Sequence, residues 1–127
     1  MSATQHGTEI AEDRALSDSE SALVQWLLSQ GGKKATCYLS QASRIRVVSR
    51  CACGCASLNF DIDGGGWRSP GGMDILIERR WHDQAGHLFE VFIFSKANTL
   101  AGIEVYSVDG LATPRTLPTP QELATVD

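Results

Sequence analysis

Polar and apolar residues alternate along this chain with two different periods, which divide it into one helix followed by a run of strands. Ser17-Asp18-Ser19-Glu20 reads as a capping box. The serine oxygen takes the third helical amide, Glu20 reaches back, and the added acid suits the positive helix end. Ala22, Leu23, Trp26, Leu27 and Gln30 then recur at helical spacing up to Gly31-Gly32, which predicts a helix over 18–29 with an apolar stripe led by Trp26. The residues before it are polar and aperiodic, and predict a mobile tail over 1–16.

Beyond a polar connection the period becomes two. Arg44-Ile45-Arg46-Val47-Val48 alternates with its apolar residues at odd numbers, and Leu58-Asn59-Phe60-Asp61-Ile62-Asp63 with them at even numbers. One unbroken strand would put these two sets on opposite faces, so the chain is expected to double back at Cys51-Ala52-Cys53-Gly54. Pairing Ile45 with Phe60 and Val47 with Leu58 aligns the apolar face and sets Arg44 opposite Asp61. Gly64-Gly65-Gly66 and Pro70-Gly71-Gly72 enclose a loop around Trp67 and Arg68.

A second hairpin follows, from Met73 to Trp81 and from Leu88 to Ser95, turning at Asp83-Gln84-Ala85-Gly86 between His82 and His87. Its expected pairs are Trp81 with Leu88, Arg79 with Glu90, Ile77 with Phe92 and Ile75 with Phe94. Leu88 to Ser95 is apolar on both sides and should be central. A turn over 96–101 leads to a fifth strand at 103–108. Pro114, Pro118 and Pro120 mark an extended end, closed by a capped helical turn at Thr119-Pro120-Gln121-Glu122.

These elements predict an α+β fold: one N-terminal helix packed on an antiparallel meander of about five strands. With 43% hydrophobic and 20% charged residues, the 127-residue chain reads as a single domain, 1–127, carrying a Pro-rich extension over 111–127. The start lacks a basic stretch followed by an apolar run, so the expected location is cytoplasmic, with no membrane partner.

A net charge of -4 argues against general affinity for nucleic acid or anionic membranes. The distribution is uneven, however: Lys33, Lys34, Arg44, Arg46 and Arg50 lie in a segment without acids. Arg44, Arg46 and Arg50 form a candidate patch for an anion or acidic partner, set against the alternative of a solvated strand face.

The chemistry concentrates in Cys51, Cys53 and Cys55, which the reversal places at a hairpin tip. Thiols this close bind a metal together, react with one another, or pack as small apolar groups, and the last is the commonest fate of a free cysteine. Zinc sites favour two separated ligand pairs, whereas the fourth cysteine, Cys37, is remote, so no metal or other cofactor is assigned. Arg50 would favour a thiolate. Asn59, Asp61 and Asp63 share a face and read as a solvated edge rather than a cation site. His82 and His87 face each other across the hairpin, as two metal ligands or as the exposed polar pair common at strand ends, and no Gly-x-Ser-x-Gly or phosphate-binding Gly-Lys-Ser/Thr motif occurs.

Two stretches, Cys51-Ala52-Cys53-Gly54-Cys55-Ala56-Ser57-Leu58-Asn59-Phe60 and Gly102-Ile103-Glu104-Val105-Tyr106-Ser107-Val108-Asp109-Gly110, resemble a family of small uncharacterised bacterial proteins with a Cys-x-Cys-Gly-Cys strand motif. The resemblance spans 44–110 and implies no activity. Without a catalytic constellation, and with aromatic residues on both faces of the second hairpin, the chain reads as an interaction module that forms a homodimer and could take a protein partner. The alternative is a zinc-binding or redox protein built on the three thiols.

Overall fold

The computed structural model describes residues 9–124. Seven strands form a single antiparallel sheet: β1 (Glu9–Ala15), β2 (Arg46–Cys51), β3 (Leu58–Ile62), β4 (Gly65–Gly66), β5 (Asp74–His82), β6 (Leu88–Lys96) and β7 (Thr99–Ser107). Helix α1 (Asp18–Gln30) lies across one face with α2 (Gly32–Thr36), a 3-10 helix over Leu39–Arg44, and α3 (Pro120–Ala124). The α+β class is as expected, but the sheet is larger than five strands and is not one meander. Its order β1-β2-β3-β7-β6-β5 joins two meanders at a β3–β7 seam, with β4 pairing beside β3.

Helix α1 starts where the capping box places it, with both reciprocal bonds formed between Ser17 and Glu20. Its buried stripe is Leu23, Val24, Leu27 and Leu28, while Trp26 is only half-buried and Ala22 is exposed. Pairs of neighbours repeated four residues apart make the contiguous face, so Trp26 flanks the stripe instead of leading it. Beneath it lie Val47, Phe60, Val91, Ile93, Ile103 and Val105, all members of one core with Leu123 of α3. Each such large side chain stabilises the fold by roughly 1.5–3 kcal/mol on burial.

The polar segment assigned to a tail is partly structured. Residues 1–8 lie outside the described residues, but Glu9–Ala15 pairs antiparallel with β2 as an edge strand. Its anchors are ionic: Arg46 bonds Asp13 at 2.6 Å, Arg50 bonds Glu12 at 2.8 Å, and Arg14 bonds Glu20 of α1 at 2.8 Å. A strand held by charge pairs carries no hydrophobic alternation for the sequence to display.

Both hairpins form, in registers that differ from those expected. In the first, Val47 faces Phe60, Arg46 faces Asp61 and Arg50 faces Leu58, with an irregularity between Val47 and Ser49. The chain turns at Cys51–Gly54 as expected, with the Gly54 amide directed at the Cys51 carbonyl, but pairing resumes only at Leu58, and between them Ala56 donates its amide to the carbonyl of Pro114, at 3.0 Å. In the second hairpin Trp81 faces Phe89 and Arg80, not Arg79, faces Glu90; only Ile75 opposite Phe94 keeps the expected pairing, beyond a bulge between Ile75 and Ile77. Strand β6 is interior, between β5 and β7.

The turn expected over 96–101 is only Ala97–Asn98, both at positive φ, so β7 begins at Thr99. Without a glycine to mark it, this primed two-residue turn leaves little trace in sequence. Asp61 also departs from expectation. It is buried, not solvated, and pairs with Arg68 of the glycine loop at 2.5 Å. On the sheet face away from α1, Trp67 rests edge-on against Phe94, and the row of rings continues through Phe92 to Tyr106. No helix among the described residues is long and apolar enough to cross a membrane.

Candidate thiol centre

Cys51 is the last residue of β2, and the segment from Ala52 to Ser57 leads to β3. Gly54, at φ +94°, supplies the left-handed residue of this reversal, and its amide makes only a long bond, 3.5 Å, to the Cys51 carbonyl. The far side is fixed more firmly. The Ser57 hydroxyl accepts the Val105 amide at 3.0 Å and donates to the Val105 carbonyl at 3.3 Å, pinning the end of the tip to β7. The Ala56–Pro114 bond ties it to the C-terminal segment.

Between these anchors the three thiols converge, all within 4.8 Å of one another. Cys53 is exposed and Cys51 and Cys55 are half-buried; Cys55 packs against the edge of the core, so the expectation of small side chains packed away as apolar groups holds in part for Cys55 and not for Cys53. Cys51 Sγ stands against Cys53 Sγ, 2.7 Å away and placed to donate to it, and the Cys55 amide also points at Cys53 Sγ, at 3.4 Å. The Cys51 hydrogen bond is the main cause that holds the Cys53 thiol below its ordinary pKa. Burial, then the same bond, push Cys51 up to about 12. The two shifts run in opposite directions, so of the pair Cys53 is the sulfur that gives up its proton first and Cys51 the one that holds it longer. Cys55 donates to the Ser57 hydroxyl at 3.4 Å.

The same sulfurs could occupy three corners of a metal site. Four thiolates at the usual zinc–sulfur length of about 2.3 Å stand about 3.8 Å apart along a tetrahedral edge, compatible with this spacing after small rotations. Among the described residues no other cysteine, histidine or carboxylate joins the group. Cys37 is exposed and bonds the Lys34 carbonyl. The donor set suits a three-coordinate soft cation better than a closed structural zinc centre.

The tip borders a cleft of about 660 Å³ between the thiol-bearing segment, the first turns of α1 and the extended chain at 115–121. Cys55 lines it, with Arg50 and Arg115 among the walls. Arg115 is placed from both sides: buried Pro114 holds Ala56, and beyond it buried Pro118 precedes α3, where a Thr119–Glu122 capping pair forms as expected and Leu123 enters the core. The guanidinium then lies over Gly54, its Nη1 only 2.6 Å from where a Cβ would stand. No hydrogen bond or ion pair engages Arg115 among the described residues.

The candidate basic patch is dispersed by its partners. Arg44 faces Asp63 at 3.5 Å, Arg46 bonds Asp13 and Arg50 bonds Glu12, so each of the three is matched by an acid. His82 and His87 do not meet as ligands: His82 is exposed opposite Leu88, and His87 Nδ1 stands 4.0 Å from Asp109. The residue that sequence reading passes over is Arg115. It sits alone among prolines and threonines, and only the long-range Ala56–Pro114 contact brings it to the thiols. The chain matches no known family, no curated protein and no solved structure.

Proposed function

We propose that this chain is a thiol redox protein in which Cys51 and Cys53 interconvert between dithiol and disulfide. The observation that carries the reading is the direct Cys51–Cys53 contact at 2.7 Å, with the exposed Cys53 as the more acidic sulfur of the two. Little movement separates that contact from the bonded distance of about 2.05 Å. Cys53 acts as nucleophile on an incoming disulfide. Its sulfur bonds to one half of the oxidant while the other half leaves as a thiolate and takes up a proton. Cys51, once deprotonated, attacks Cys53 Sγ and expels the second half, so the protein loses two electrons and two protons to the oxidant.

Equilibration with mixtures of reduced and oxidised dithiothreitol tests this. The protein is expected to pass between two forms that differ by two hydrogens, and Cys51→Ser is expected to stall as a mixed disulfide on Cys53. A metal-free protein that only accumulates mixed disulfides on several cysteines would overturn the reading. Stoichiometric zinc or copper lost only on denaturation would favour instead the metal-binding reading that the common 4.8 Å sphere of sulfurs supports.

The ring row Trp67–Phe94–Phe92–Tyr106 supports a second, compatible reading: a homodimer formed through the sheet face away from α1. Tyr106 and Ile75 are each about two-fifths exposed there, at 41% and 40%. Light scattering on a sizing column should give twice the chain mass, and Tyr106→Asp should return it to one. A monomer at micromolar concentration would remove the dimer.

A further inference from the structure

From the cleft beside the thiols we infer the class of disulfide this protein takes: a small disulfide bearing carboxylates, docked by Arg115. The inference rests on the redox reading and adds the substrate to it. Three observations converge. The cleft, about 660 Å³, falls within the range of small-molecule sites and opens directly at Gly54 and Cys55. Cys55 Sγ on its wall lies within 4.8 Å of Cys53 Sγ, so a sulfur bound there is adjacent to the nucleophile. Of the cleft's charged side chains, Arg50 is matched by Glu12 and Glu20 by Arg14, which leaves Arg115 as the cation without a partner among the described residues.

A guanidinium offers a carboxylate two parallel N–H bonds and holds its charge at every working pH. Arg115 reaches the tip from a segment anchored by a buried proline on each side, Pro114 and Pro118, with no side chain on Gly54 to obstruct it. A carboxylate seated on Arg115 would set the attached disulfide over the Gly54–Cys55 segment. The exchange then runs as above: Cys53 Sγ bonds to the nearer substrate sulfur, the farther half departs with a proton, and Cys51 Sγ displaces the half left on Cys53. The products are the Cys51–Cys53 disulfide and two carboxylate-bearing thiols. The chain as a whole is negative, at -4, so preference for an anion must come from the site and not from the overall field.

The test is a charge series of small disulfides: dithiodiglycolate as dianion, 2-hydroxyethyl disulfide as neutral, cystamine as dication. The rate of Cys51–Cys53 disulfide formation is measured for each and divided by the rate for a free peptide with the sequence of residues 49–57. With one close unpaired guanidinium the dianion is expected to gain about tenfold or more over the dication by this measure. Arg115→Ala should abolish the preference and Arg115→Glu invert it, with the neutral probe within about twofold throughout, which would show that the thiols themselves are intact.

A redox-inert companion separates the two proposals. Thiodiglycolate, a thioether, should shift the amide resonances of Gly54 and Cys55 in wild type and in Cys53→Ser, but not in Arg115→Ala. Binding without any disulfide formation would overturn the redox reading and, with it, the assignment of this anion site to a substrate. Disulfide formation whose charge ranking equals that of the free peptide, or a dianion preference that survives Arg115→Glu, would overturn the substrate class while leaving the redox centre standing.

Discussion

The two hairpin tips solve the same problem in opposite ways. At the β5–β6 tip, Asp83 satisfies the reversal from within: its amide donates to His87 at 3.0 Å, and its carboxylate accepts the amides of Ala85 at 3.0 Å and His87 at 2.9 Å. At the β2–β3 tip sulfur takes the place of oxygen, with the Cys53 and Cys55 amides pointing at thiols from 3.4 Å, and the strong bonds come from outside, from Pro114 and Val105. A tip closed on its own backbone has nothing left to react. A tip propped from outside can hold sulfurs at the surface, and it is on this difference that the proposed chemistry is assigned to the first hairpin.

The sharpest way to break this contrast is to remove the more acidic sulfur, Cys53. Cys53→Ser should slow alkylation by iodoacetamide at neutral pH by about tenfold or more, because the thiolate is the reacting species, whereas Asp83→Ala should leave it unchanged. The pH profile sharpens the same point. A lowered pKa means the thiolate population is already reached at lower pH, so wild-type alkylation should level off below the ordinary thiol range; Cys51→Ala, lacking any donor to Cys53, should move that midpoint upward.

Next in size is the seam that joins the two hairpins. A Cβ on Gly102 would stand 2.7 Å from the Phe94 ring and 2.8 Å from the Leu58 carbonyl, so Gly102→Ala should destabilise the protein by about 1–3 kcal/mol in urea unfolding. Asp83→Ala, which strips two amides of their acceptor at one tip, should cost about 1–2 kcal/mol. Its loss without any change in thiol kinetics would show the tips to be independent.

The smallest effect concerns β1, the edge strand beside the thiol-bearing hairpin. Hydrogen bonds from Arg50 and then Arg14 hold the Glu12 carboxyl below its ordinary value. A depressed carboxylate stabilises the native pairing above its unfolded pKa and loses that contribution as pH falls through the folded one. The protection factors of amides in Glu9–Ala15, taken relative to the intrinsic exchange rate at each pH, should therefore fall on acidification before those of β6 or β7 do.

Legibility in the sequence followed the kind of signal each feature leaves. Ser17 and Glu20, Thr119 and Glu122, and the change of apolar side between Val47 and Leu58 are local patterns with local causes, and those elements form where expected. Strand β1 leaves no pattern because Asp13, Glu12 and Arg14 act through partners on β2 and α1. The register of the second hairpin turns on how Asp83 closes its loop and on a bulge near Leu76, neither of which alternation reveals. The cysteines announced the site. Arg115 did not, since what makes it notable is its distance from Gly54, sixty-one positions away in the chain by their numbering but adjacent in space.

The central claim, that Cys51 and Cys53 are a reacting pair, is tested most directly by mapping disulfide linkages after limited oxidation of the full chain with a small disulfide. The account predicts one product: a Cys51–Cys53 bond within the chain, two hydrogens lost, with Cys37 and Cys55 still free. A protein whose first bond joins Cys53 to Cys55, or joins two chains through Cys37, or that forms none at all, would contradict it.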